Sequence, residues 1–147
     1  MVDIKDLQQI YIFSDLTADE LERIKPLIFE KEFRKGTALF FEGMAGGIMY
    51  LVKSGQIEIY KRQGSLEIPI TTLGPGDFLG EMSLLDDEPR SAAARVSQDA
   101  VLLVVTKRHF QEILKASPEG ANKIFIALLK IMSKRLRDTN QKLIQSS

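Results

Sequence analysis

The chain has no cysteine and a single histidine. The first absence removes disulfides, thiolate nucleophiles and zinc–thiolate centres together. The second leaves His109, at the start of a helical stretch, with no imidazole partner, and a lone helix-surface histidine reads as a bystander. No excess of either charge is present, because twenty basic residues balance twenty acidic ones. The chain as a whole therefore offers no electrostatic argument for nucleic acid or an anionic membrane. No apolar run approaches the ~20 residues needed to span a bilayer, and the charged N-terminus Met-Val-Asp-Ile-Lys-Asp lacks a signal core. A cytoplasmic protein is expected. Gly-x-Ser-x-Gly, His-Glu-x-x-His and Gly-x-x-x-x-Gly-Lys-Ser/Thr are all missing. The loop Gly43-Met44-Ala45-Gly46-Gly47 lacks the lysine and following helix of a phosphate loop and reads as a flexible hairpin. Asp86-Asp87-Glu88 reads as a solvated loop rather than a cation site. No metal and no catalysis are expected.

What is present is enough for a packed core: 147 residues, 44% of them hydrophobic, make one domain or one with an appendage. Ile4, Leu7, Ile10 and Phe13 recur at helical spacing, and Thr17-Ala18-Asp19-Glu20 reads as a capping box for a helix carrying Leu21, Ile24 and Leu27. From about Glu30 the period changes to two. Strands are expected at 31–33, 38–41, 48–52, 57–61, 66–72, 92–96 and 101–105, with turns at Lys35-Gly36, 43–47, Ser54-Gly55, Gln63-Gly64, 74–77 and Gln98-Asp99. Many short strands between glycine turns argue for a β-sandwich or barrel, and period alone does not choose between them. After Thr106 the pattern is helical again. Phe110, Ile113 and Leu114 share a face, and Ser117-Pro118-Glu119 supplies a cap, a first-position proline and an early acid. The helix that follows could reach about Leu143, roughly 35–40 Å. Phe125, Leu128, Met132, Thr139 and Leu143 fit a near-heptad seam interrupted by Arg135, and Ile124, Leu129 and Ile131 lie on the opposite flank. One stripe for the barrel and one for a partner helix predicts a homodimer.

The stretch Gly80-Glu81-Met82-Ser83-Leu84-Leu85-Asp86-Asp87-Glu88-Pro89-Arg90-Ser91-Ala92 carries the chemistry. A helix N-terminus offers free N–H groups to an anion. An arginine followed by small residues lets a guanidinium fork and more N–H groups converge on one phosphate. Glu81 would repel that phosphate, unless the ligand also carries a hydroxyl donor, as a ribose does.

This stretch resembles the phosphate-binding cassette of the cyclic nucleotide-binding family, roughly Phe-x-Gly-Glu-(Leu/Met)-(Ala/Ser)-Leu, a variable loop, then Pro-Arg-(Ser/Thr/Ala)-Ala. Phe78, Gly80, Glu81, Met82, Ser83 and Leu84 fill the first half, and Pro89, Arg90, Ser91 and Ala92 the second. The resemblance extends over roughly residues 10–143. It implies a mostly β fold with flanking helices: N-terminal helices over about 1–29, an eight-stranded β jelly roll over 30–106, and a hinge helix and long dimerisation helix over 107–147. It implies that Arg90 pairs with the cyclic phosphate, that Ser91 and the Ala92 N–H complete the oxygen contacts, that Glu81 accepts from the ribose 2′-OH, and that Gly80 permits close backbone approach. Arg135 falls where some bacterial members bridge from the long helix to the cassette glutamate. Thr139 and Asn140 align with a Thr-Ser pair that contacts adenine in catabolite-activator-type sensors, one of the two coming from the partner subunit. Asparagine in place of serine puts base selectivity in doubt.

The resemblance thus implies a non-catalytic regulatory domain for cyclic AMP, with cyclic GMP as the other ligand, signalling through movement of the long helix about a hinge at 110–117. Two alternatives remain: a jelly-roll dimerisation scaffold that has lost nucleotide binding, or the sensor half of a transcription regulator, since such regulators continue into a helix-turn-helix domain. The six basic residues of the long helix (Lys123, Lys130, Lys134, Arg135, Arg137, Lys142) against Glu119 and Asp138 suit its dipole, and direct DNA binding is not expected.

Overall fold

The computed structural model describes residues 2–80, 84 and 88–146, the side chains of 145 and 146 excepted. Helix α1 (Ile4–Gln8) and a 3₁₀ turn (Tyr11–Phe13) lead into α2 (Ala18–Ile24). The capping box forms as expected: the Glu20 N–H donates to the Thr17 hydroxyl, and the Thr17 N–H donates back to the Glu20 carboxylate.

Among the described residues six antiparallel strands follow: β1 (Phe29–Phe33), β2 (Ala38–Phe40), β3 (Ile48–Gln63), β4 (Leu66–Leu73), β5 (Phe78–Leu79) and β6 (Ala93–Thr106). The expected hairpin turns at Ser54-Gly55 and Gln98-Asp99 are not turns. The chain runs straight through both, and they appear instead as register shifts where β3 and β6 cross. Gly55 explains why: its φ is +89°, and a Cβ there would collide with the Asp99 carbonyl and Ala100. Glycine here permits two backbones to touch and the strand to kink without ending. Each half of the two long strands finds its own outer partner. β1 and β2 pair with successive parts of β6, and β5 and β4 with successive parts of β3. In this way six strands among the described residues make the roll.

Alternation along these strands separates two cores. Met49 and Leu51 of β3, Phe78 of β5, and Leu103 and Val105 of β6 face the helices; Tyr50, Val52, Leu79, Leu102 and Val104 face the interior of the roll. The helices close the first core. Helix α3 (Lys107–Ala116), capped by Thr106, inserts Phe110 and Ile113; helix α4 (Pro118–Ser146) inserts Ile124, Ala127 and Leu128. The Ser117 hydroxyl accepts the Gly120 N–H, as the cap predicted. His109 accompanies α3, in contact with the Thr106 hydroxyl and the Phe29 ring.

The seam expected for a partner is corrected here. Leu128 is buried in the chain's own core, and the Phe125 ring meets Phe110 edge-on at 6.2 Å. Leu129, assigned to the barrel side, is exposed. Both stripes exist, but heptad spacing does not reveal which one the roll takes.

Candidate functional site

Local backbone chemistry fixes Arg90. Its N–H donates to the Met44 carbonyl and its own carbonyl accepts from the Gly43 N–H, both at 2.8 Å. The glycine loop read as a flexible hairpin is therefore laced to the arginine. The Arg90 Nη2 donates to the Ile48 carbonyl at 2.7 Å, and the guanidinium lies 4.1 Å from the Phe40 ring centre. Phe40 in turn stacks on Tyr50 at 6.4 Å. Only 8% of Arg90 is exposed, so its charge is largely withdrawn from water and held in one place before any ligand arrives. Burial pushes the Tyr50 phenol pKa up, against the smaller opposing pull of the Arg90 charge.

Gly80 forms the neighbouring wall. Its φ is +86°, and an added Cβ would lie 2.5 Å from the Ile48 carbonyl oxygen and 2.6 Å from the Arg90 Nη1. The backbone therefore passes closer to the guanidinium than any side chain would allow.

Between these groups lies a pocket of about 570 Å³, lined by Gly80, Arg90, Ser91 and Ala92 of the expected set. Phe40, Ile59, Thr71, Leu73, Phe78 and Leu79 complete it from the roll, Glu88 and Pro89 from the loop before β6, and Arg135 reaches it from α4. The volume falls in the range of small-ligand sites, with a mostly apolar wall and a few convergent polar groups. Arg135 lies 5.5 Å from the Phe78 ring centre, so a cation–π contact joins the long helix to the pocket. Such a site suits a compact anion with an apolar or aromatic body. Among the described residues no cluster of histidine and carboxylate ligands suited to a metal ion is found.

Of the ten residues expected at the site, five line this one pocket: Gly80, Arg90, Ser91, Ala92 and Arg135. Glu81, Met82 and Ser83 lie outside the described residues; Leu84, just after them, is buried in the helix-side core. Thr139 and Asn140 do not line the pocket. Both are exposed on α4, and the Thr139 hydroxyl donates to the Arg135 carbonyl at 2.9 Å. Sequence reasoning missed Phe40 as the platform for Arg90, and Thr71 and Leu73 as part of the wall. Their signal was the two-residue alternation of β4, which places Thr71 and Leu73 on one face.

A family profile described as "Cyclic nucleotide-binding domain" matches residues 30–117. The chain is 29% identical over 133 residues to the cyclic AMP receptor protein of Thermus thermophilus, covering 90% of this chain and 60% of that one. It is 34% identical over 108 residues to the cAMP-dependent protein kinase regulatory subunit of Yarrowia lipolytica, covering 74% of this chain and 28% of that one. It therefore spans less than two thirds of either relative. The crystal structure of a cyclic nucleotide-binding domain from Methylobacillus flagellatus superposes with a TM-score of 0.82 at 24% identity, covering 97% of this chain and 81% of that one, a likeness of fold.

Proposed function

The chain belongs to the cyclic nucleotide-binding domain family, and from that premise we propose that it is a non-catalytic regulatory domain whose ligand is cyclic AMP. One observation carries the reading: a buried guanidinium, bonded to the Ile48 carbonyl, apposed to Gly80 and carried on backbone pinned by Met44 and Gly43, faces a pocket of ligand size. A rigid, poorly hydrated fork stabilises a phosphate diester without reorganising. Ser91 and the Ala92 N–H supply further donors, and Glu81 takes the ribose 2′-OH. Cyclic AMP is favoured over cyclic GMP because both relatives named above are cyclic AMP proteins by name. Apolar and aromatic wall residues suit either purine, so the base is read elsewhere, by Thr139 and Asn140 on α4.

Signal output follows from Arg135. It lines the pocket from a helix otherwise packed on the opposite core, so a ligand that contacts it alters the preferred position of α4. A ligand shifts such an equilibrium only by its differential affinity for the two positions. Pairing of two chains along α4 would carry that shift to whatever the domain controls. Calorimetric titration with cyclic AMP, cyclic GMP and linear 5′-AMP tests the reading. Cyclic AMP should bind tightest, and absence of binding by either cyclic nucleotide would leave a jelly-roll scaffold in its place.

A further inference from the structure

With no cysteine in the chain, its five methionines hold all of its sulfur. Among the described residues Met44 is the one open to solvent, 46% exposed, while Met49 is buried and Met132 half-buried. An oxidant must reach a sulfur lone pair, so exposure selects among methionines.

Met44 is also tied, at three of its atoms, to the strand and the arginine that build the pocket. Its Sδ accepts the Phe41 N–H at 3.2 Å, and its own N–H donates to the Phe41 carbonyl at 3.1 Å. Its carbonyl accepts the Arg90 N–H at 2.8 Å. The sulfur thus closes a turn at the end of β2, one residue beyond Phe40, whose ring lies 4.1 Å from the Arg90 guanidinium. One residue secures both the arginine backbone and the strand that carries its aromatic platform.

A thioether sulfur is a weak, uncharged acceptor, and oxidation changes it in kind. In a sulfoxide the side chain is polar and chiral, and the acceptor is an oxygen one bond farther out. To meet that oxygen the Phe41 N–H must shift, and the turn with it. The other end of the turn is the Met44 carbonyl on Arg90, so the shift reaches the arginine. Binding groups work only when held within about 0.5 Å of their productive positions.

We propose that Met44 is a reversible oxidation site, with a peroxide as oxidant, whose sulfoxide loosens Arg90 and lowers affinity for the nucleotide phosphate. The effect on affinity rests on the proposed cyclic nucleotide reading; the site itself does not.

The step balances with hydrogen peroxide alone. A sulfur lone pair attacks one peroxide oxygen, so that an S–O bond forms and the O–O bond breaks. Sulfur gives up two electrons and the peroxide takes them. The departing hydroxide collects the proton of the transferred oxygen and leaves as water. Return to the thioether takes a methionine sulfoxide reductase and a dithiol, which ends as a disulfide while the oxygen leaves as water.

Peptide mass spectrometry after graded hydrogen peroxide should find sulfoxide at Met44 before Met49 and Met132. In that protein the Arg90 amide should exchange with deuterium at least about tenfold faster, a readout that needs no ligand. Calorimetry should show cyclic AMP affinity falling about tenfold, and recovering after treatment with the reductase and dithiothreitol. Each variant is then compared with itself before and after peroxide. Met44→Leu should show no fall, whereas Met132→Leu and Met82→Leu, the latter in the cassette, should keep the parent's. A fall that persists in Met44→Leu overturns the proposal. So does Met44 sulfoxide that leaves either the Arg90 amide or the cyclic AMP affinity unchanged, and so does a Met44 no more reactive than Met49. Faster Arg90 exchange in an oxidised chain that binds neither cyclic nucleotide before treatment would uphold the site while removing the proposed ligand.

Discussion

Arg90 occupies the space that a side chain on Gly80 would need, with its Nη1 2.6 Å from the position of the missing Cβ. Gly80→Ala should therefore do two separable kinds of damage. Left-handed backbone costs a non-glycine residue about 1–2 kcal/mol, and the methyl must also displace the guanidinium. Gly64, with φ +63° and nothing within 4 Å of its Cβ position, supplies the control, because alanine there meets only the backbone cost. Thermal melting should register both variants, and nucleotide titration only Gly80→Ala. Equal loss of affinity in the two would mean that the apposition does not matter for binding.

Truncating the arginine is more severe. Charge-assisted hydrogen bonds contribute ~1.5–3 kcal/mol each, and a fork makes more than one. Arg90→Ala should weaken cyclic AMP by about 100-fold or more, read by calorimetry. Arg90→Lys should recover only part of this, because an ammonium cannot hold Ile48 and a phosphate in the same plane. Parent-like affinity in Arg90→Ala would remove the phosphate assignment.

Base preference should follow the face of α4 that Arg135 marks. Thr139→Ala is expected to lower the ratio of cyclic AMP to cyclic GMP affinity severalfold, without the general loss seen at Arg90. Parallel titrations with the two nucleotides measure that ratio, and an unchanged value would assign base reading to the roll.

Much of this was legible in the sequence because glycine, arginine and proline advertise local geometry. The cassette, the capping box at Thr17 and the Ser117 cap depend on neighbours a few residues away, and all but the undescribed 81–83 and 85–87 can be placed. What escaped depends on contacts distant in sequence. Gly55 looks like a hairpin glycine until Asp99 and Ala100 are seen against it. Phe40 looks like an ordinary strand aromatic until Arg90, fifty residues on, lies over its ring. The two stripes of α4 were visible, but their allocation depended on where the roll sits.

That allocation has a consequence for stability. Leu128→Ala should destabilise the fold by ~2–5 kcal/mol in denaturant titration, as expected for a buried leucine. Leu136→Glu should leave the far-UV spectrum intact and give a monomer by sedimentation. Reversed outcomes would return the partner seam to Leu128.

An ion pair ties α2 to α4: the Lys123 ammonium lies 2.7 Å from the Glu20 carboxylate. That bond, with the Thr17 N–H, holds the Glu20 carboxyl below its ordinary value of 4.5. A lowered folded-state value means that the charged form stabilises the fold above the ordinary value and that this advantage fades as pH falls through the lowered one. Glu20→Gln should therefore melt below the parent at neutral pH, and the gap should close only in acid below about pH 4.5. A gap independent of pH would show that charge at Glu20 contributes nothing.

Adjacent residues of β3 lead to opposite sides of the sheet. Tyr50 supports Phe40 beneath the arginine, while Met49 and Leu51 press on the helices. A substitution among the helices can therefore retune a pocket it never touches, because a close-packed strand passes displacement from one face to the other rather than absorbing it. Related domains would then vary in ligand sensitivity while their pocket walls stay the same, with the adjustment made behind the sheet.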